Sequence, residues 1–298
     1  MLRNNEFGSY HPAVNFIYFI FVTGFSMFVM HPVCMAVSFA CGSAYSIMLN
    51  GKSAAGKNFL YMLPVMAGAA LINPLFNHEG MTILGYFPGG NPLTLESVIY
   101  GLAAALMLVT VICWFSCCSR IMTGDKYIYL FGRAIPALSL ILSMTLRFVP
   151  KFLSHLKEVT EAQKCVGRDI SSGSLVRRAK NGLAILSIMT TWALENAVET
   201  ADSMKSRGYG LPGRTSFSIY TFEGRDKAAL AFILTAGLYV LAGIINGRLS
   251  FLYFPSIGGE AVTPYIISLF AAYSGLCVCP IIIEIRENRR WNAIKSKI

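Results

Sequence analysis

The sequence predicts an all-α polytopic membrane protein with about six transmembrane helices and a cytoplasmic insert of amphipathic helices. The chain of 298 residues is 55% hydrophobic and only 13% charged, which is typical of membrane proteins. Its long apolar runs contain no Asp, Glu, Lys, Arg or His, and each approaches the ~20 residues that a helix needs to cross the hydrocarbon core. Residues 120–227 show a helical period with apolar and charged faces instead.

Six uncharged runs are the predicted spans. They cover residues 13–30, 33–49, 59–76, 97–118, 228–245 and 263–283. The first two are separated only by His31 and Pro32, and proline disfavours continuing a helix, so a tight hairpin is expected there. The loop at residues 78–96 is rich in Gly and Pro and is predicted to be a structured or re-entrant external turn.

The positions of lysine and arginine predict the orientation. Sixteen of the 25 lie in residues 120–227 and five more crowd the C-terminus, whereas residues 78–96 contain none. Cytoplasmic loops carry an excess of these residues, so the insert and both termini are predicted to be cytoplasmic, in a multi-pass protein of the cell membrane. The basic surplus therefore indicates loop charge beside a lipid bilayer, and no nucleic-acid partner is expected.

Three regions follow from this pattern. Residues 1–119 form an N-terminal membrane region of four spans, and residues 120–227 form the cytoplasmic or interfacial insert. Residues 228–298 form a second membrane region of two spans with a basic cytoplasmic tail.

The insert divides into three helical stretches. Residues 127–149 are apolar, but Arg133 and Pro136 interrupt them and Arg147 closes them, so this stretch is expected at the membrane interface or buried in protein. A new amphipathic helix is expected to begin at Pro150, because proline is tolerated in a first helical turn.

A longer amphipathic helix is predicted after a break at Ser171-Ser172-Gly173-Ser174. Its apolar positions recur at a spacing close to 3.5 and are Leu183, Leu186, Thr190, Ala193, Ala197, Ala201 and Met204. The two amphipathic helices should pack on each other or on the membrane face. Gly208 and Gly210, followed by Pro212, are predicted to end the second helix.

No stretch of the sequence predicts catalysis. Residues 51–58 resemble a P-loop, but Asn58 replaces the hydroxyl residue that binds magnesium, and the stretch joins two spans rather than a strand and a helix. It is predicted to be a flexible cytoplasmic loop. Nucleophile motifs and His/Asp/Glu clusters with ligand spacing are absent from the sequence, and the eight cysteines are interpreted as packing residues. No catalytic residue, metal or cofactor is expected.

The triplet Ser206-Arg207-Gly208 has two compatible interpretations. Arginine in a last turn complements the helix dipole, and glycine supplies a left-handed cap. The same arrangement presents a cation to a partner.

The surrounding residues favour the partner interpretation. The stretch Glu195–Gly210, which ends in Ala-Asp-Ser-Met-Lys-Ser-Arg-Gly-Tyr-Gly, resembles the second Arg-Gly signature of the transmembrane T component of energy-coupling factor transporters. That family includes the membrane subunit of cobalt uptake systems. Residues 145–150 and 161–163 resemble the stretch that leads to its first signature. In this chain Val166 stands where the first signature has arginine, and Arg168 lies one step beyond Gly167.

The resemblance implies a four-part importer. It would contain two cytoplasmic ATP-binding-cassette ATPases, this non-catalytic chain, and a membrane S component that captures a vitamin or metal ion. The residues implied to dock on the ATPases are Ser206, Arg207, Gly208, Gly167 and Arg168. The apolar residues implied to carry the S component are Leu183, Leu186, Ala193, Ala197 and Met204.

Two other functions fit the residues. One is an independent channel or secondary carrier, although the predicted spans lack the ionisable groups that many ion-driven carriers use. The other is a membrane enzyme that uses the insert.

Overall fold

A computed structural model describes residues 5–86, 91–209, 211, 220–259 and 263–295. The chain forms two compact units. The first, called the membrane unit, combines Met1–Lys126 with Tyr220–Ile298. The second, called the hairpin unit, is Tyr127–Ile219.

Helices dominate both units. After a 3-10 turn at Phe7–Ser9, the helices are α1 (Pro12–Phe28), α2 (Pro32–Asn50), α3 (Lys52–Phe76), α4 (Leu95–Ile121), α5 (Gly124–Ala134), α6 (Pro136–Cys165), α7 (Leu175–Ser206), α8 (Gly224–Ile245) and α9 (Pro264–Lys295). Each of the six predicted spans coincides with a helix. Within the described residues, α2, α4, α8 and α9 are long and apolar enough to cross a membrane, while Pro12–Phe28 and Met62–Phe76 are shorter apolar helices. The predicted all-α polytopic membrane fold is confirmed.

Small residues allow close helix contacts in the membrane unit. Gly42 of α2 lies against the indole of Trp114 in α4, which is fully buried and donates from Nε1 to Ser38 Oγ at 2.9 Å. Gly101 of α4 lies so near α3 that a Cβ there would be 2.7 Å from the backbone oxygen of Ala70. Such small residues let α2 and α3 pack directly against α4.

Residues 78–96 contain a two-stranded hairpin, in agreement with the predicted structured turn. Strand β1 (Ile83–Tyr86) pairs antiparallel with β2 (Pro92–Thr94), and residues 87–90 lie outside the described chain. The buried Glu96 carboxylate accepts hydrogen bonds from the Thr82 amide and from the Thr82 hydroxyl, the latter at 2.9 Å. A shorter hairpin, β3 (Phe251–Leu252) with β4 (Gly258–Gly259), precedes α9.

The predicted flexible loop at residues 51–58 is wrong. Helix α3 begins at Lys52, so only Gly51 separates it from α2. Gly51 has a φ of 78°, which glycine adopts without the penalty that a Cβ would impose. One glycine is therefore enough to redirect the chain between the two helices.

The hairpin unit contains most of α5 and all of α6 and α7. The predicted interruption is confirmed, because α5 ends at Ala134 and α6 starts at Pro136. Neither helix is among those of the described chain that are long and apolar enough to span a membrane. The predicted break at 171–174 is also confirmed, since Ser174 caps α7 by accepting from the Arg177 amide at 3.4 Å.

The expected helix start at Pro150 is wrong, and Arg147 does not close a helix. Both residues lie inside α6, which is continuous over Pro136–Cys165. A proline within a helix removes one backbone hydrogen bond. Here the following residues, Lys151 and Phe152, contact Trp192 of α7, and these contacts offset that loss.

Candidate functional site

Helices α6 and α7 form an antiparallel hairpin that is held together at Trp192. The Trp192 ring stacks on His155 at a centroid distance of 4.2 Å and meets Phe152 edge-to-face at 5.1 Å. Lys151 Nζ lies 5.5 Å from the Trp192 ring centroid and donates to Asn196 Oδ1 at 3.3 Å. Stacking, edge-to-face and cation–π contacts therefore converge on one side chain. The two helices pack on each other, as predicted.

The turn end of the hairpin is held by side chains of α7. Asn181 Nδ2 donates to the Asp169 carbonyl at 2.9 Å, and Arg178 Nε donates to the Ile170 carbonyl at 2.7 Å. The Ser171 amide and hydroxyl both donate to the Asp169 carboxylate, which lowers its pKa. The bonds from Asn181 and Arg178 satisfy backbone carbonyls of the turn, and together these contacts hold the turn against α7.

Helix α7 ends in a Schellman cap at the Arg-Gly pair. Arg207 is the cap residue, and Gly208 has a left-handed φ of 74°. The Gly208 amide donates to the Lys205 carbonyl at 3.0 Å, and the Tyr209 amide donates to the Met204 carbonyl at 3.1 Å. The predicted helix end at Gly208 is confirmed, while Gly210 and Pro212 lie outside the described residues.

Helix α6 ends in the same geometry. Its cap residue Val166 has φ −86° and ψ 7°, against φ −84° and ψ 7° for Arg207. Gly167 is left-handed at φ 81°, and the Arg168 amide donates to the Gln163 carbonyl at 2.9 Å. By position in the cap, Val166 corresponds to Arg207, and Arg168 corresponds to Tyr209.

The two caps lie far apart. Because the helices are antiparallel, Arg207 lies beside the early part of α6, where Ser143 lines the same cavity, whereas Val166 ends α6. The helix between Ser143 and Val166 is ~35 Å long at about 1.5 Å per residue. Ser206, Arg207 and Gly208 therefore form one end of the hairpin unit, and Gly167 and Arg168 form the other. Ser206, Arg207, Gly167 and Arg168 are exposed, and Gly208 is half-buried.

A cavity of ≈ 650 Å³ lies between α6 and α7 near Arg207. Its charged lining consists of Arg147, Lys151, Arg207 and the carboxylate of Glu199, so cations outnumber anions. One pattern in the sequence indicates this cluster of cations, and the prediction missed it. Arg147 and Lys151 are four residues apart, a spacing that places both on one face of a helix.

The predicted apolar stripe of α7 lies mainly on the surface. Leu183 is 66% exposed and Leu186 is 60% exposed, and Ala197 is also exposed. Ala193 is half-buried, and Met204 is half-buried and lines the cavity. A different face of α7, which contains Trp192, packs against α6.

Two further exposed residues extend this apolar surface. They are Leu194 and Val198, which were absent from the predicted stripe. Single exposed apolar side chains are common, but a contiguous set on one helix face indicates a contact surface for another molecule.

The described part of the chain contains no group of three or more His, Cys, Asp or Glu residues that could hold a metal ion. Its eight cysteines are free thiols, and five of them are buried. The features that stand out in the hairpin unit are two helix caps, a cation-lined cavity and an exposed apolar face. Such an arrangement is suited to contact with other macromolecules.

Known proteins resemble part of this chain. No protein-family model matches it. It is 34% identical over 118 residues to the energy-coupling factor transporter transmembrane protein EcfT of Lactobacillus helveticus, covering 39% of this chain and 43% of that protein. It is 38% identical over 96 residues to EcfT of Brevibacillus brevis, covering 32% of this chain and 36% of that protein.

A third relative agrees with these two. EcfT of Staphylococcus aureus is 34% identical over 106 residues, covering 35% of this chain and 40% of that protein. The chain thus spans about two fifths of the length of the curated relatives it matches. These homologues confirm the predicted resemblance of this membrane protein to the T component of energy-coupling factor transporters, over the part of the chain that they match.

Proposed function

We propose that this chain is the energy-coupling membrane subunit of an ATP-driven importer. It transmits the motion of two cytoplasmic ATP-binding-cassette ATPases to a membrane S component that takes up a vitamin or metal ion. The chain itself performs no catalysis, because ATP hydrolysis belongs to its partners. It lies in the cell membrane with both termini in the cytoplasm, on the side where lysine and arginine accumulate.

The observation that carries this proposal is the pair of matching helix caps at the two ends of one hairpin. Each cap presents the residue before a left-handed glycine at an exposed helix end. At one end this residue is Arg207, whose planar fork can make paired hydrogen bonds to carboxylate or carbonyl groups of an ATPase. Two caps at the ends of one hairpin suit two ATPases that move together.

The exposed apolar face of α7 supports the second contact. Leu183 and Leu186 project from the helix that ends in Arg207. A displacement of that helix by an ATPase would therefore move any membrane partner bound to its apolar face. Transport by this route is a conformational relay between two partners.

Replacing Leu186 with glutamate should weaken binding of the S component without affecting ATPase binding. Burying a leucine side chain contributes about 1.5–3 kcal/mol, so the S component should dissociate at least roughly tenfold more readily. Co-purification of tagged S component and ATPases from mild detergent measures both contacts at once. The matched control is Ile188→Glu, since Ile188 is an exposed apolar residue on the acidic side of the same helix. Equal loss of the S component in both variants would contradict the proposed face.

Replacing Val166 with arginine should strengthen ATPase binding. Val166 is 72% exposed and occupies the cap position that Arg207 occupies in α7, so an arginine fits there without strain. A new charge-assisted contact of about 1.5–3 kcal/mol should raise affinity by roughly tenfold or more. Titration of the purified ATPases against the variant measures the change. Cys165→Arg is the control, because it adds the same charge one residue before the cap position.

The proposal as a whole is tested by the composition and activity of the complex. We expect two ATPases and a small membrane protein to co-purify with the chain, and we expect uptake in liposomes to require all of them with ATP. Solute movement by the purified chain alone would instead establish a channel or carrier. Turnover that is abolished by changing one polar residue of the hairpin unit would establish an enzyme.

A further inference from the structure

The N-terminal 3-10 turn, Phe7–Ser9, is held at both ends by buried charged side chains of the membrane unit. At its start, the carboxylate of Glu284 in α9 accepts from the Glu6 amide at 3.2 Å and from the Phe7 amide at 3.5 Å. At its end, Lys126 Nζ donates to the Gly8 carbonyl at 2.6 Å. Glu284 is only 3% exposed and Lys126 only 7%.

This arrangement matches the polarity of the turn. Backbone amides at the start of a helical turn carry partial positive charge, and carbonyls at its end carry partial negative charge. The anion Glu284 therefore lies at the positive end and the cation Lys126 at the negative end. Buried charges are costly unless they are paired and hydrogen-bonded, and the short turn supplies partners for both.

Two further groups accept hydrogen bonds from Lys126. Its Nζ also donates to the Ile121 carbonyl at the end of α4, at 2.9 Å. With its amide oriented to satisfy both neighbours, buried Asn15 accepts from Lys126 Nζ at 3.2 Å and donates to the Phe7 carbonyl at 3.0 Å. Burial lowers the pKa of Lys126 to about 8, because desolvation disfavours the charged form. The hydrogen bonds from the ammonium group to these acceptors offset part of that cost.

Phe7 fixes the turn from the apolar side. Its ring is fully buried and meets the rings of Tyr18, Phe19 and Tyr45 edge-to-face, with Tyr18 at 5.2 Å. The turn is thus joined to α1 and α2 by aromatic contacts, to α4 by Lys126 and to α9 by Glu284. So many buried contacts to so short a segment indicate a defined structural role.

The position of Lys126 in the chain suggests that role. It lies in the first turn of α5, and it is the last residue of the membrane unit before the hairpin unit begins at Tyr127. We propose that Lys126 and Glu284 are positioning residues, which clamp the N-terminal turn between them and thereby fix the first turn of α5, where the chain leaves the membrane unit. The consequence of this clamp for transport rests on the proposed function, because force between ATPase and S component would then pass through the first turn of α5.

The clamp is tested first in the isolated full-length chain by amide hydrogen exchange. Lys126→Met keeps the apolar stem and removes the donors to three acceptors. We expect exchange over residues 6–10 and 124–134 to rise at least about tenfold, because hydrogen bonds to charged groups contribute strongly when buried. Lys227→Met is the matched control, since Lys227 is an exposed lysine in the first turn of α8. Equal exchange in both variants would overturn the clamp.

Two measurements guard against general misfolding. Exchange at the buried α4 residues Val109 and Cys113 should stay unchanged in the variant. Glu284→Gln, which keeps the side-chain shape and removes the charge, should increase exchange over residues 6–10 in the same direction.

The positioning role is then tested in the reconstituted complex. We expect Lys126→Met to lower the number of solute molecules taken up per ATP hydrolysed, with ATPase binding retained. A merely structural role would reduce the amount of complex and leave that ratio unchanged, which would overturn positioning. If the unmodified chain binds no ATPase, the proposed function fails, and the exchange experiment still decides whether the clamp exists.

Discussion

Replacing Arg207 with alanine should abolish most of the ATPase binding at one end of the hairpin unit. Truncating one partner of a buried charge contact typically costs about 2–5 kcal/mol, which weakens binding by roughly 30-fold or more. The cap itself should survive, because Gly208 supplies the left-handed residue and the cap hydrogen bonds use the backbone. Binding of purified ATPases to the chain in nanodiscs, measured with and without the substitution, gives the change directly.

The control for this experiment is an arginine outside the hairpin unit. Arg289→Ala removes the same charge from an exposed position on α9 and should leave ATPase binding unchanged. Arg168 corresponds in cap position to Tyr209 rather than to Arg207. Arg168→Ala should therefore weaken ATPase binding less than Arg207→Ala does. ATPase capture that is unaffected in the double variant would remove the docking role from both arginines.

Replacing Trp192 with alanine should separate the two helices of the hairpin. Trp192 contacts Phe152, His155 and Lys151, and large-to-small substitution of a packed aromatic residue costs several kcal/mol. Since Trp192 is half-buried, we expect a loss of about 2–3 kcal/mol in the stability of the hairpin unit. Amide exchange at the buried residues Ile185 and Met189 should accelerate by roughly 30-fold or more, a change that reports directly on opening of the hairpin.

Trp291 offers a matched control for this substitution. It is 49% exposed on α9 in the membrane unit, so Trp291→Ala should leave exchange in α7 unchanged. In the proposed transporter, Trp192→Ala should preserve ATP hydrolysis and reduce uptake, because the two caps would no longer be joined by packed helices. Normal uptake by a variant with faster exchange would show that the hairpin need not be rigid.

The sequence predicted the membrane helices well because bilayer thickness imposes a length that uninterrupted apolar runs reveal. It also predicted where α7 ends, because a helix cap at Gly208 depends only on the local residues of the chain. Failures arose where one residue or a tertiary contact decided the outcome. Gly51 alone redirects the chain before α3, and contacts beyond Pro150 keep α6 continuous.

The α6-facing side of α7 was missed for a different reason. Ile185, Met189 and Trp192 recur with the same helical period as the predicted stripe, but they lie on another face. Periodicity shows that a helix has an apolar face, but it does not show which of two apolar faces is buried within the protein. Only the position of α6 reveals that Trp192 packs inward and that Leu186 remains exposed. The clamp of Lys126 and Glu284 was likewise hidden, because most of its partners, such as the Glu6 amide and the Gly8 carbonyl, come from distant parts of the chain.

The two ends of the hairpin differ in stiffness. From the turn to Trp192 the helices are joined by several side-chain contacts, whereas beyond Trp192 a cavity of ≈ 650 Å³ lies between them and the Lys151–Asn196 hydrogen bond crosses it. A force applied at Val166 would therefore move both helices together, while the same force at Arg207 would first bend the last turns of α7 about Trp192. The same displacement would therefore be transmitted to α6 more fully from the Val166 end than from the Arg207 end.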